Sequence, residues 1–184
     1  MSPPIGRSRP DDRRTRFHDG LHEGDGGAVK AAGVTARIAR ESDAPALATL
    51  ATELGYPVDA EAIARRLTGL LSGRDDVVFV AVADETEIVG FVHAAEKRLL
   101  VSDPFVELEG LIVTAAARRR GAAACLIAAV ERWTLARAVT ELRVRARVER
   151  NVADLFYRQQ GFALEKQQRV FAKRLAGAAA TDEP

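Results

Sequence analysis

Apolar positions change their spacing along this chain in a way that separates strands from helices. From Val34 to Ala39 they alternate as in a short strand. A helix follows, with Leu47, Leu50 and Leu54 on one face, Ser42 or Asp43 as its cap and Pro45 in its first turn. Gly55-Tyr56-Pro57 breaks that helix. Asp59 then starts a second, whose Ile63, Leu67 and Leu70 recur at helical spacing until Gly73. Val77 to Ala83 is almost continuously apolar and predicts a buried strand; Asp84-Glu85-Thr86-Glu87 turns it into another, Ile88 to Ala95. A third member runs from Phe105 to Thr114. A long helix over 121–138 places Leu126, Val130 and Trp133 on one side. In Glu141 to Val148, Leu142, Val144, Ala146 and Val148 alternate with Arg143, Arg145 and Arg147, the pattern of a half-buried strand. A helix over 151–160 and a closing hairpin, Phe162–Leu164 with Val170–Lys173, complete the order β-α-α-β-β-β-α-β-α-β(β).

That order predicts an α/β (α+β) fold. Its centre is a mixed, mostly antiparallel sheet of six to seven strands with about four helices on both faces. The domain spans residues 34–175. Residues 1–33 are rich in Arg, Asp, Gly and Pro and are expected to be a disordered tail, as are residues 176–184.

Charge excludes more than it assigns. In 184 residues, 27 basic side chains nearly cancel 26 acidic ones, leaving +1, so no global field favours nucleic acid or an anionic membrane as partner. No apolar run is long enough to span a bilayer, and no apolar stretch follows the N-terminal arginines as in a secretory leader, so the expected location is cytoplasmic. One cysteine and three scattered histidines provide no metal motif. Cys125, among Ala, Leu and Ile, reads as core rather than as a nucleophile, and Trp133 shares that apolar face. The Arg143/Arg145/Arg147 row reads as a solvated strand face, since no aromatic residues are interleaved with it.

The chemically informative stretch begins at Glu107-Leu108-Glu109-Gly110-Leu111-Ile112-Val113 and continues into Arg118-Arg119-Arg120-Gly121-Ala122-Ala123-Ala124. An apolar strand enters a turn of small residues that opens a long helix. Unpaired N–H groups of a first helical turn, together with the helix dipole, make an anion site, and small residues let a phosphate approach. Neither GxxxxGK[ST] nor GxGxxG is present.

Val113, Arg118, Gly121 and Ala123 match V-x-P-x-x-[QR]-x-x-G-x-[GA], and Ala153, Phe156, Tyr157, Gly161 and Phe162 match N-x-x-A-x-x-L-Y-x-x-x-G-F. On these motifs and their order the chain resembles the GNAT N-acetyltransferase superfamily over residues 34–175. The resemblance implies acetyl-CoA as co-substrate, no metal, and transfer of the acetyl group to a primary amine. A strand splayed at Leu111, Ile112 and Val113 would bind the pantetheine arm, and the amides of Arg119 to Ala124, beside Arg118, would hold the pyrophosphate. Ile112 N–H would be an oxyanion donor, Tyr157 would protonate the departing thiolate, and Glu109 or Glu107 would serve as base. Ala115 replaces the usual proline and Ala123 the second glycine. The asparagine position falls on Arg150, with Asn151 one place later, both near the phosphates. Tyr56 and His93 are candidate walls of an acceptor groove. Acidic Glu107, Glu109 and Asp103 point to a cationic small molecule, such as an aminoglycoside or polyamine. A protein N-terminus or lysine, or a non-catalytic acyl-CoA sensor, is the alternative. Members often pair as homodimers, although no residue here shows it.

Overall fold

The computed structural model describes residues 29–31, 33–53, 55–147, 151–173 and 175. The elements are β1 (Val29–Ala31), β2 (Val34–Ile38), α1 (Ala44–Glu53), α2 (Ala60–Ser72), β3 (Asp76–Ala83), β4 (Glu87–Leu99), β5 (Ser102–Val113), α3 (Ala122–Ala136), β6 (Leu142–Val144) and α4 (Asn151–Gln159). The chain divides into two compact units, Met1–Val144 and Arg145–Pro184.

In the first unit six strands lie in the order β1-β2-β3-β4-β5-β6. All neighbours are antiparallel except β5 and β6, which are parallel. Both faces of β3 are buried, as its continuous apolar run requires. On one face Val78, Val80 and Val82 pack with Leu47 and Leu50 of α1 and Leu67 of α2, and Phe91 and Ile112 extend that cluster across β4 and β5. α3 contacts β1 to β5 and buries Leu126, Ile127 and Val130. Each such side chain taken fully from water contributes about 1.5–3 kcal/mol. Cys125 lies in this core, its Sγ 3.7 Å from Val34 O, as a packing residue.

Local signals explain most boundaries. Asp59 caps α2 by accepting from Ala62 N–H at 2.6 Å, and Gly73 closes the helix in an extended rather than left-handed conformation. α3 is Ala-rich, which suits a helix, and ends where Ala138 enters the left-handed region at φ 57°. Asp43 does not cap α1. It ends a 3-10 turn, Glu41–Asp43, and its buried carboxylate accepts from Arg37 at 2.7 and 2.9 Å and from Arg40 N–H at 2.8 Å.

Several expectations are corrected. The sheet starts at Val29, inside the segment assigned to the tail, because β1 finds a partner in β2. The strand expected over 141–148 forms only at Leu142–Val144; Val148 lies outside the described residues, as do Leu54, Arg150 and the tails at 1–28 and 176–184. The closing hairpin is absent: residues 162–173 have no regular secondary structure, and an isolated hairpin is marginal in water. Arg143 is not simply solvated. Its guanidinium carbon stands 3.8 Å from the Phe105 ring centroid and its Nε donates to Glu141 at 2.5 Å, pinning β6 against β5. Trp133 is half-buried under Arg137 at 4.7 Å rather than wholly in the core.

The Asp43 arrangement is testable by pH. Burial alone would raise its pKa, but hydrogen bonds from Arg37 and the Arg40 amide outweigh that and hold it below the ordinary carboxylate value of 3.8. Its contribution is therefore complete above about pH 4 and lost as pH falls through the lowered value. Asp43→Asn should cost about 2 kcal/mol at pH 7. In chemical denaturation the deficit should shrink as pH drops below about 4; a pH-independent deficit would contradict this account.

Candidate active site

β5 is the strand on which the site is built. On one side it pairs with β4 up to Val113, and on the other it pairs with β6 only at Val106↔Leu142, Glu107↔Arg143 and Leu108↔Val144. Gly110 to Val113 therefore lie beyond the β6 register and are half-buried. Leu111, Ile112 and Val113, where a splay is expected, have no β6 partner among the described residues, and they lie on the fifth strand because β1 precedes the first one expected.

A bulge marks the same place. His93 pairs with Gly110 and Ala94 with Leu108, so Glu109 is an extra residue with no partner in the β4 register. Bulges bend a strand and re-aim its side chains, which accounts for β5 parting from β6 here. Gly90 keeps the end of β5 close to β4. A Cβ on Gly90 would stand 2.6 Å from Ile112 O and 3.2 Å from Val113 Cα. Only glycine permits that approach.

The acidic candidates differ in environment. Glu107 is 3% exposed, opposite Ala95. Glu109 is half-exposed and ion-paired with Lys97 of β4, a partner that sequence spacing did not reveal. The hydrogen bond that Lys97 donates to Glu109, with further attraction from Glu107 and Asp76, holds the Lys97 ammonium above its ordinary pKa. His93 donates from Nε2 to Asp76 Oδ1 at 2.8 Å. The cross-strand pairs Asp76↔Ala95, Ala95↔Glu107, Val78↔His93 and His93↔Gly110 place these residues on one sheet face, the one covered by α1 and α2. Asp103 is exposed near the start of β5, and Tyr56 is exposed after α1.

Beyond β5 the chain turns through Thr114 to Gly121 into α3. Thr114 fixes the turn by accepting from Ala117 N–H at both its carbonyl and Oγ1. Arg119 at φ 62° and Gly121 at φ 81° are left-handed, so the turn is curled tightly at a cost that only glycine avoids. Arg118 and Arg120 N–H make long bonds of 3.4 Å, and Cys125 N–H bonds Gly121 O. The N–H groups of Arg119, Gly121, Ala122, Ala123 and Ala124 have no acceptor among the described residues. Arg118, Arg119 and Arg120 are exposed around them. Converging amides at a helix start, with a positive dipole and three guanidinium groups, suit a pyrophosphate.

In the second unit Tyr157 lies half-buried on α4, between Phe156 at 5.3 Å and Phe162 at 5.5 Å, both edge-on. Gly161 at φ 86° folds the chain back so that Phe162 N–H reaches Tyr157 O at 3.0 Å, which explains the Gly-Phe pair in the motif. Burial pushes the Tyr157 phenol above its ordinary value of 10 and keeps it protonated at neutral pH. Asn151 is the first residue of α4.

Among the described residues, no group of three or more His, Cys, Asp and Glu side chains is placed to hold a metal ion. No helix among them is long and apolar enough to cross a membrane.

Comparison with known proteins agrees with this geometry. The sequence profile of the acetyltransferase (GNAT) family matches residues 44–162. An aminoglycoside N(6′)-acetyltransferase type 1 from Stenotrophomonas maltophilia is 34% identical over 145 residues, 77% of this chain and 92% of that protein. Its namesake from Salmonella typhimurium is 35% identical over 100 residues, 52% and 67% of the two chains. Among solved structures, AAC(6′)-Iy bound to the bisubstrate analogue CoA-S-monomethyl-acetylneamine has a TM-score of 0.68 at 25% identity, over 77% of this chain and 99% of that one. The 6′-N-acetyltransferase of Acinetobacter baumannii shares the fold with a TM-score of 0.69 at 22% identity, over 78% and 100%.

The turn gives a direct test. Gly121→Ala forces a side chain into the left-handed region and should cost about 1–2 kcal/mol of stability. Re-aiming the following amides should weaken CoA binding by about tenfold, or roughly 1.4 kcal/mol. Calorimetric titration with CoA beside a thermal melt checks both; unchanged affinity would mean that the amides do not carry the phosphates.

Proposed function

The chain belongs to the GNAT acetyltransferase family and is an acetyl-CoA-dependent N-acetyltransferase, and we propose that its acceptor is the 6′-amine of an aminoglycoside. The observation that carries the acceptor is the relative matched over nearly its whole length, which acts at that position. The sheet face bearing Asp76, Glu107 and Glu109 supports it, since an aminoglycoside arrives as a polycation and carboxylates attract its ammonium groups.

In this reading the amides from Arg119 to Ala124, all but that of Arg120 without an acceptor among the described residues, hold the CoA pyrophosphate with Arg118 and Arg120. The family resemblance assigns Arg150 and Asn151 to the same phosphates. The free edge of β5 at Leu111, Ile112 and Val113 takes the pantetheine arm as a strand-like ligand, with Ile112 N–H facing the thioester oxygen. Glu109 and Glu107 draw in the acceptor ammonium, and Tyr157 supplies the proton to the departing thiolate. A buried phenol that keeps its proton suits that task. It also favours catalysis over an acyl-CoA sensor, which needs no acid. A cytoplasmic location belongs to the same reading, as does pairing into a homodimer, which rests on the family's habit.

Thiol release from acetyl-CoA should be observed with an aminoglycoside carrying a 6′-amine and not with a matched one carrying a 6′-hydroxyl. Turnover of both, or only of lysine peptides, would overturn the acceptor. Tyr157→Phe should lower kcat about 100-fold while the acetyl-CoA KM changes little. The alkaline fall in wild-type activity due to this phenol should lie above pH 10, because its shift is upward.

A further inference from the structure

Both carboxylates expected as the base are already engaged. Glu109 is bonded to the Lys97 ammonium, and Glu107 is buried with a partner of its own. A carboxylate neutralised by a lysine is an anchor for cations rather than a destination for protons.

One side chain on the same face has the chemistry of a base. His93 bonds Asp76 through Nε2 at 2.8 Å, and because a carboxylate only accepts, that nitrogen carries a proton and, in the neutral ring, Nδ1 has the lone pair. Both side chains are part-exposed, so water and ligand reach them. The residue cross-strand from His93 is Gly110, where an added Cβ would have no atom within 4 Å. An antiparallel neighbour would normally fill that seat. Here it is open, beside the bulge and next to Leu111 and Ile112. The charged groups around it are Asp76 from β3, Lys97 from β4, and Glu107 and Glu109 from β5. α1 and α2 turn Leu47, Leu50 and Leu67 to this face, while Glu53, Glu61, Arg65 and Arg66 are exposed to solvent.

We propose that His93, oriented by Asp76, takes the proton of the acceptor amine, and that the open seat over Gly110 is where that amine stands; this rests on the acetyltransferase reading above. Nδ1 removes one proton from the ammonium, directly or through one water, and Asp76 stabilises the imidazolium. The freed lone pair forms the N–C bond to the acetyl carbon and the C–S bond breaks. Tyr157 protonates the leaving sulfur, the second amine proton returns through water to the phenolate, and His93 sheds its proton to solvent. Ammonium and acetyl-CoA thus give amide, CoA thiol and one proton.

The test is the pH dependence of kcat/KM with a 6′-amine aminoglycoside, for the wild type, His93→Ala, Asp76→Asn and Glu109→Gln. His93→Ala should lose about 100-fold in kcat and its acidic limb, with partial rescue by added imidazole, which also shows that the variant folds. Asp76→Asn should lower kcat with the acetyl-CoA KM unchanged. Glu109→Gln should raise the acceptor KM yet keep the limb. If His93→Ala keeps the limb and imidazole has no effect, or if Glu109→Gln abolishes the limb, His93 is not the base although the acetyltransferase reading stands. If the wild type binds acetyl-CoA but acetylates no aminoglycoside, that reading fails and this one falls with it.

Discussion

β5 is hydrogen-bonded to β4 along nearly all its length but to β6 over only three residue pairs. A strand released on one side within a protein presents unpaired backbone groups, which are normally a hazard. In β5 this stretch is Gly110–Val113, which has no β6 partner among the described residues and leads directly into the turn that opens α3. The strand edge beyond the β6 register and the helix-start amides that lack an acceptor among the described residues thus follow one another in sequence, an arrangement that suits a long ligand with a phosphate end and an amide-containing arm. The rest of the first unit keeps β5 in position. α1 and α2 cover one face, α3 covers the other, and Gly90 lets β4 approach the last residues of β5.

Electrostatics divide the two faces of β4. On the α1/α2 face lie Asp76, His93, Lys97, Glu107 and Glu109, only partly compensated and accessible in places. Toward α3, Glu96 is buried and bonded by Arg137 at 2.5 Å and Arg98 at 2.7 Å, with Asp75 joining both arginines at 3.3 Å. The second set is tightly neutralised and ties the end of α3 to the sheet. Fully paired charges of this kind hold structure, whereas the first set keeps acceptor capacity for a cation.

Much of this was legible in the sequence. The turn that opens α3 was legible because its physics is local: Gly121 takes a left-handed φ and the helix starts at the small residues that follow it. The Tyr157, Gly161 and Phe162 spacing was equally local. What could not be read depended on pairing at a distance. The bulge exists only relative to β4, so the Glu107 and Glu109 spacing suggested two equivalent carboxylates where one is buried and the other is bonded to Lys97. Asp43 looked like a helix cap, but Arg37 and Arg40 claimed its carboxylate. The closing hairpin expected at Phe162–Leu164 with Val170–Lys173 forms no regular pairing among the described residues.

The extra residue at Glu109 also changes what a difference in chain length does to this protein. Deleting it would set Gly110 directly after Leu108 with every pair to β4 unchanged, so the strand would straighten and lose both its bend and the carboxylate that pairs with Lys97. The same deletion at the exposed tip, Leu100–Val101, would only shorten a loop. In this strand a single residue thus sets the bend rather than the register, and a homologue that lacks it would keep the pairing of β4 with β5 without the kink before Gly110.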